Sequence, residues 1–265
     1  MRVISFNANG IRSAEKKGFF KWLARQKADF VCVQETKAQI EQLTLPAFSP
    51  KAFHCVYHDA EKRGYSGVAV YARKKPIHVL AGFSSADPAA QGWEEFDREG
   101  RYLEYQYKDL SIVSLYAPSG SSGDVRQQAK YRFMDLFMSH LRRIRKSGRK
   151  YVICGDWNIA HKEQDIKNWR GNKKNSGFLP EERAWMDVLF DEVGFIDAFR
   201  AIEQKPDQYT WWSNRGQAYA KNVGWRIDYH VVTPELGSRV QKTRIYTKQK
   251  FSDHAPLIID YDFDL

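Results

Sequence analysis

An α+β fold of two packed β-sheets with helices outside is what this 265-residue sequence predicts. Three observations carry that expectation. Roughly ten strand-like runs occur, more than one small sheet needs. The few helical stretches do not alternate strictly with them, which argues against a doubly wound parallel sheet. No Pro/Ser-rich linker, low-complexity tract or repeat interrupts the chain, so residues 1–265 are expected to form one domain with a substantial core.

In order, Arg2 to Phe6 reads as the first strand and runs into the polar loop Asn7-Ala8-Asn9-Gly10. Ser13 can cap a helix from about Ala14 to Gln26, with Phe19, Trp22 and Leu23 on its apolar face. Phe30 to Gln34 is a second strand with Glu35 at its tip. Ser66 to Tyr71 and Ile77 to Leu80 are further strands, and residues 82 to 95 read as a loop. Arg101 to Tyr107 and Leu110 to Tyr116, joined by Lys108-Asp109, suggest an antiparallel hairpin.

After the flexible turn Ser119 to Gly123, a long helix is expected from Asp124 to about Ser147. Val125, Ala129, Phe133, Leu136, Phe137, Leu141 and Ile144 form its stripe. Arg142, Arg143, Arg145 and Lys146 suit its C-terminus. The run Tyr151 to Gly155 is a buried strand. A polar segment from Ala160 to Gly177 follows, then a shorter helix from Pro180 to about Glu192. Tyr209 to Trp212, Arg226 to Thr233 and Pro256 to Tyr261 are late strands.

Lys plus Arg exceeds Asp plus Glu by ten charges, which favours a polyanionic partner such as nucleic acid or an anionic surface. The apolar runs are too short to span a bilayer and the N-terminus enters a strand at once, so neither signal peptide nor transmembrane helix is expected. Cys32, Cys55 and Cys154 lack metal-site spacing and read as small buried thiols of a reducing cytoplasm.

The chemistry gathers at strand ends. In Gly155-Asp156-Trp157-Asn158 a carboxylate and an amide leave a strand two residues apart, so on an extended chain they share a face. An Asx turn capping the strand is the competing reading. Asn7 and Glu35 repeat the pattern of a strand with an amide or acid at its tip, a usual place for catalytic groups. Asp228, inside an apolar strand, needs a partner, and the histidine of Asp253-His254 is a candidate that a carboxylate would fix and charge. No His/Cys cluster has zinc spacing, and neither a P-loop nor a G-x-S-x-G elbow occurs. An acid with oxygen neighbours for a hard cation, a carboxylate to activate water and a cationic histidine suit attack on a phosphodiester.

These residues stand in runs that resemble the exonuclease III family of apurinic/apyrimidinic (AP) endonucleases, within the DNase I-like metal-dependent phosphoesterases. The runs are Ser5 to Gly10, Val33 to Lys37, Ser66 to Ala69, Tyr116 to Ser119, Gly155 to Asn158, Gly177 to Arg183, Gly224 to Tyr229 and Ser252 to Pro256. They follow the family's order over almost the whole chain.

The resemblance implies a four-layer α/β/β/α sandwich of two mixed sheets. It also implies a Mg2+-dependent enzyme, Mn2+ able to substitute, that cuts duplex DNA 5′ to abasic sites. Trimming of blocked 3′ ends and 3′→5′ exonuclease activity go with it. Glu35 corresponds to the principal metal ligand, with Asn7 and Asp253 in the metal shell and Asn9 beside it, where it also meets substrate. Asp156 orients and deprotonates the attacking water. His254, paired with Asp228, stabilises phosphoryl charge or acts as the base instead. Asn158 holds a non-bridging oxygen and Tyr116 contacts the phosphate or assists the leaving group. Asn172, Lys173 and Asn175 lie in the loop beside the DNA backbone, and Trp211 and Trp225 line a pocket for a flipped-out sugar, whereas Trp212 is structural.

Two positions depart from the pattern. Asn9 stands where some relatives have Asp, making the metal shell less anionic, and Ser119 stands where others have a longer amide. A monomer in the cytoplasm, associated with the nucleoid through DNA and with no membrane partner, completes the expectation. The competing functions are a phosphoesterase of inositol phosphates or sphingolipids and a nucleic-acid-binding regulator on a silent nuclease scaffold.

Overall fold

The computed structural model describes residues 1–265. Its strands are β1 Arg2–Asn7, β2 Phe30–Gln34, β3 His54–His58, β4 Val68–Ala72, β5 His78–Ala81, β6 Tyr102–Gln106, β7 Leu110–Tyr116 and β8 Lys150–Asp156. Six more follow: β9 Ile196–Asp197, β10 Trp211–Trp212, β11 Gly224–Trp225, β12 Asp228–Val232, β13 Val240–Ile245 and β14 Leu257–Tyr261. One six-stranded sheet has the order β13-β14-β1-β2-β4-β3 and the other β5-β6-β7-β8-β12-β9, while β10 and β11 form a short separate ladder.

The sheets pack face to face through Val3, Cys32, Val70, Leu103, Ile112, Val152 and Ile259, all fully buried. Two short helices, α1 Ile11–Lys16 and α2 Phe19–Leu23, cover the outer face of the first sheet. The second sheet is covered by α5 Asp124–Lys146, after the one-turn helices α3 Phe83–Ala86 and α4 Glu94–Asp97. Four layers, α/β/β/α, result. Both sheets are therefore buried on both faces, which explains why β2, β4 and β7 are buried at every position and are mostly apolar, with only Gln34, Ser111 and Ser114 interrupting them. A side chain such as Phe137, fully buried on the inner face of α5, contributes about 2–3 kcal/mol.

Several expected boundaries move. The helix expected from Ala14 to Gln26 is two helices, because Gly18 takes a left-handed φ of 87° between them. Residues 82 to 95 hold α3 and the start of α4 instead of a plain loop, with the Asp97 carboxylate accepting the backbone N–H groups of Phe83 and Ser84. Val125 leaves the apolar stripe of α5 and is 82% exposed. Conversely, Lys130 and His140 are buried on that helix. The central strand does not stop at Gly155 but continues to Asp156; at Gly155 a Cβ would fall on the Leu115 carbonyl oxygen of the neighbouring strand. The helix beginning at Pro180 (α7, Pro180–Asp187) ends in a single π-helical turn, Val188–Glu192. The short helices α6 Trp169–Asn172 and α8 Pro234–Gly237 lie on either side of it in sequence.

Two histidines make the core pH-sensitive. His230 on β12 is fully buried between the sheets, its Nδ1 3.1 Å from the Tyr261 hydroxyl, and burial lowers its pKa from 6.5 to about 3. Burial and then Arg143 lower His140 to about 4 against the pull of Asp87. Both are neutral in the folded chain and protonate more readily unfolded, so the unfolded state binds more protons below pH 6.5. Their contribution is complete above that pH and is lost as pH falls. These two groups should therefore lower the melting temperature as pH falls below 6.5, and His230→Leu should flatten that drop. An unchanged slope in the variant would contradict the assignment.

Candidate active site

β1 and β2 are parallel, as are β7 and β8, and each pair is joined by a helical crossover. The carboxyl ends of these four strands open on one rim, where side chains escape the sheets without losing ladder hydrogen bonds. Asn7 ends β1, Glu35 follows β2, Tyr116 ends β7 and Asp156 ends β8. β12 runs antiparallel to β8 and places Asp228 opposite Asp156. His254 precedes β14, the antiparallel neighbour of β1. Residues far apart in the chain thus meet because of strand direction.

Asn7 is the hinge between the two sheets. It is fully buried, and its Nδ2 donates to Glu35 Oε1 at 2.8 Å and to Asp156 Oδ2 at 2.9 Å. Its Oδ1 accepts the backbone N–H of Asn9 at 2.9 Å. As a metal ligand Asn7 would have to turn its amide over; here it orients two carboxylates. Asn9 bridges outward, donating to Asp253 Oδ1 at 2.9 Å and accepting from Lys37 Nζ at 2.6 Å. Lys37 also pairs with Glu35 Oε2 at 2.7 Å. The Asp253 carboxylate further accepts from Trp211 Nε1 at 3.1 Å and from the Ser252 hydroxyl at 3.0 Å. Burial opposes the ionised form of Asp253, but the His254 charge and these donors hold its pKa below the usual value.

His254 Nδ1 lies 2.8 Å from Asp228 Oδ2, to which it donates, and Nε2 is turned toward Asp156 Oδ2, 3.9 Å away. Burial works against the imidazolium, yet Asp228 by charge and hydrogen bond, then Asp156 and Asp253, raise its pKa to about 10. The backbone N–H groups of Ile227 and Asp228 both donate to the Thr210 hydroxyl, which fixes the start of β12. Asp156 is pushed up to about 8, by burial first, then by Asp228 and Glu35, with His254 opposing. Tyr116 stays a neutral phenol, raised by burial and by the Glu35 charge, with Arg101 stacked 4.6 Å from its ring centroid.

The strand does not continue extended to Asn158. Asp156 Oδ1 accepts the Asn158 N–H at 2.9 Å, and Asn158 has a left-handed φ of 53°. The extended-chain expectation therefore fails and the Asx-turn reading holds, yet the turn still delivers Asn158 to the cavity that Asp156 lines. The Asn158 amide spends one hydrogen on the Ala117 carbonyl at 2.9 Å. Asn9, Glu35, Lys37 and Ser66 also have φ between 41° and 49°. Each such residue costs about 1–2 kcal/mol. The turn around Glu35 is clamped by backbone bonds from Gly10 and Ile11 on one side and to Ser66 and Gly67 on the other.

Glu35, Asp156 and His254 present ligand atoms all within 4.8 Å of one another. A charged imidazole is no ligand, so the two carboxylates are the candidates to hold a cation. Even with Asp156 protonated, the carboxylates of Glu35, Asp228 and Asp253 outnumber the two cationic side chains Lys37 and His254, an excess of negative charge that fits a hard divalent ion and grows when Asp156 ionises. Asp253 is joined to this cluster through Asn9 and does not belong to its core.

The cavity above the rim has a volume of about 760 Å3. Asn9, Glu35, Tyr116, Asp156, Asn158, Trp211, Trp225, Asp253 and His254 line it, with Lys174 and Asn175 at one wall. Trp211 and Trp225 meet edge to face at 6.0 Å. Asn172 and Lys173 lie outside the wall: Asn172 bonds back to the Asn168 carbonyl, and Lys173 Nζ sits 4.6 Å from the Trp169 ring centroid. Trp212 is buried, donating to Asn222 at 3.0 Å. Lys37 and Lys174 were not singled out by sequence reasoning, although each stands beside residues that were. Lys130, buried under the cavity, betrays itself only as a lysine in line with Phe133 and Phe137 on the apolar stripe of α5.

A model of the endonuclease/exonuclease/phosphatase family matches residues 4–254. A Bacillus subtilis exodeoxyribonuclease is 35% identical over 97% of this chain and 98% of its own. The zebrafish (Danio rerio) DNA repair nuclease APEX1 is 37% identical over 98% of this chain and 81% of its own. Among solved structures, an AP endonuclease from Archaeoglobus fulgidus superposes with a TM-score of 0.86 at 25% identity, covering 99% of this chain and 100% of that one.

Proposed function

Because the chain belongs to the endonuclease/exonuclease/phosphatase family, and within it to the exonuclease III-like AP endonucleases, we propose that it is a DNA-repair nuclease that hydrolyses the phosphodiester 5′ to abasic sites. The products would be a 3′-hydroxyl and a 5′-deoxyribose phosphate. Removal of 3′ blocking groups and 3′→5′ exonuclease activity on duplex DNA are read from the same site. The observation that carries the proposal is the Asp228–His254–Asp156–Asn7–Glu35 chain of contacts across the rim of both sheets.

Each group has a role that its surroundings support. Asp156 is the acceptor for the proton of the attacking water, held by Asn7 and by the Asn158 N–H. His254 is kept cationic by Asp228 and faces the charge that builds on the phosphoryl oxygens. Asn158 donates its remaining amide hydrogen to a non-bridging oxygen. Tyr116, a neutral phenol, donates toward the phosphate or the departing 3′-oxygen. Glu35 and Asp156 would hold the cation, Mg2+ in this reading with Mn2+ as a substitute, while Asn7 and Asp253 complete or brace its shell. When bound, the cation supplies the positive charge that brings Asp156 into its ionised range and offsets the phosphate.

The substrate is double-stranded DNA with abasic sites or blocked 3′ ends. The excess of basic residues favours that polyanion. Trp211 and Trp225 form an aromatic wall for an extruded sugar, and a base-free sugar costs less to extrude than a paired nucleotide. Asn9 and Asn175 meet the flanking phosphates, with Asn172 and Lys173 reaching the backbone farther out. Residues 1–265 act as one domain and as a monomer. No helix is long and apolar enough to cross a membrane, and the site of action is the cytoplasm, at the nucleoid. The test is incision of an end-labelled duplex with one abasic analogue, with Mg2+ and with EDTA. Cutting only with the metal is expected; equal cutting in EDTA would refute the metal assignment.

A further inference from the structure

An ion pair that none of these steps uses lies beneath the cavity. Lys130 on α5 and Glu182 on α7 have side chains 1% and 0% exposed, with Nζ and Oε1 2.6 Å apart. Such a pair is a poor source of stability, since desolvating two charges cancels most of their attraction and an apolar pair of similar volume often does as well. Burial pulls the Lys130 pKa down, against Glu182 and Asp156, which hold it up.

What the pair touches is more informative. Lys130 Nζ also donates to the Asn158 carbonyl at 2.8 Å. Glu182 Oε2 accepts the backbone N–H of Gly177 at 2.6 Å and of Leu179 at 3.1 Å, and Oε1 accepts from Gln127 Nε2 at 3.1 Å. The two segments also meet directly, since Ala160 N–H donates to the Gly177 carbonyl at 2.8 Å. Gly177 has a φ of +93°, and a Cβ there would press on the Trp225 ring and the Asn158 carbonyl oxygen. One buried pair therefore ties the left-handed Asn158 turn to the 175–179 segment, two walls of the catalytic cavity.

We propose that Lys130 and Glu182 are positioning residues for phosphodiester hydrolysis, acting by holding the Asn158 peptide so that its side-chain amide stays aimed at the substrate phosphate. Neither touches substrate. The inference rests on the nuclease reading above. A displacement of the amide by about 1 Å is enough to cost up to about a hundredfold in rate.

The test is a double-mutant cycle in single-turnover incision of the abasic duplex, with duplex affinity and melting temperature measured alongside. Lys130→Met should slow incision by about 10- to 100-fold while affinity stays within about threefold. Combined with Asn158→Ala, the same substitution should cost less than about threefold, because its route is already lost. An equal loss in both backgrounds would overturn the proposal and leave the pair a purely structural feature, as would an unchanged rate. If Lys130→Met does not fold, Glu182→Gln, which keeps volume and one acceptor oxygen, goes through the same cycle with the same criteria. Absence of incision by the unmodified chain would instead overturn the nuclease reading itself.

Discussion

Asp156→Asn is expected to slow incision by about 10³-fold while duplex affinity changes by no more than about twofold. The carboxylate sits where both sheets meet, accepting from Asn7 Nδ2 at 2.9 Å and from the Asn158 N–H at 2.9 Å. An amide of the same shape keeps a carbonyl oxygen for one of those bonds but has no capacity to take a proton from water. It also deprives His254 of one of the anions that hold it charged. Binding depends on the cavity walls and on basic residues outside this cluster, so it should survive. Incision at the unmodified rate would remove Asp156 from the mechanism.

Glu35→Ala should act differently, through the metal. Glu35 and Asp156 are the carboxylates that converge, and Glu35 is the one held from both sides, by Asn7 and Lys37. Truncation leaves Lys37 without its carboxylate partner, and the ammonium then repels a cation. The Mg2+ concentration for half-maximal incision should rise at least about tenfold, with a lower rate even at saturation. A metal titration that overlays that of the unmodified chain would show that Glu35 is not a ligand.

Most of this site was legible in the sequence because its residues stand at strand tips. A mostly apolar strand ends visibly, and an acid or amide at or just past its last residue stands out, as at Asn7, Glu35 and Asp156. The Asp228–His254 pair was legible for a related reason, since a carboxylate inside an apolar strand must find a partner. The edge strands β3 and β13 were not, although the edge strand β5 was. β3 is partly exposed throughout and pairs only with β4, while a register shift between Val240 and Lys242 breaks the alternation of β13. Gly18 hid in a helical pattern that it divides. The pairing of Lys130 with Glu182 was not legible, because nothing local reveals that α5 and α7 bury them against each other. Asn172 and Lys173 stand in the expected loop, but the turn of α6 points them away from the cavity that Lys174 and Asn175 line.

The most direct test of the central claim is a map of the ends produced from a duplex carrying a single abasic analogue, with a 3′-phosphate duplex run in parallel. The account predicts metal-dependent cleavage of the bond 5′ to the analogue, a 3′-hydroxyl that a polymerase extends, and a sugar phosphate on the other fragment. Removal of the 3′ phosphate without internal incision would contradict it, and would mean that the wall formed by Trp211 and Trp225 rejects the extruded sugar.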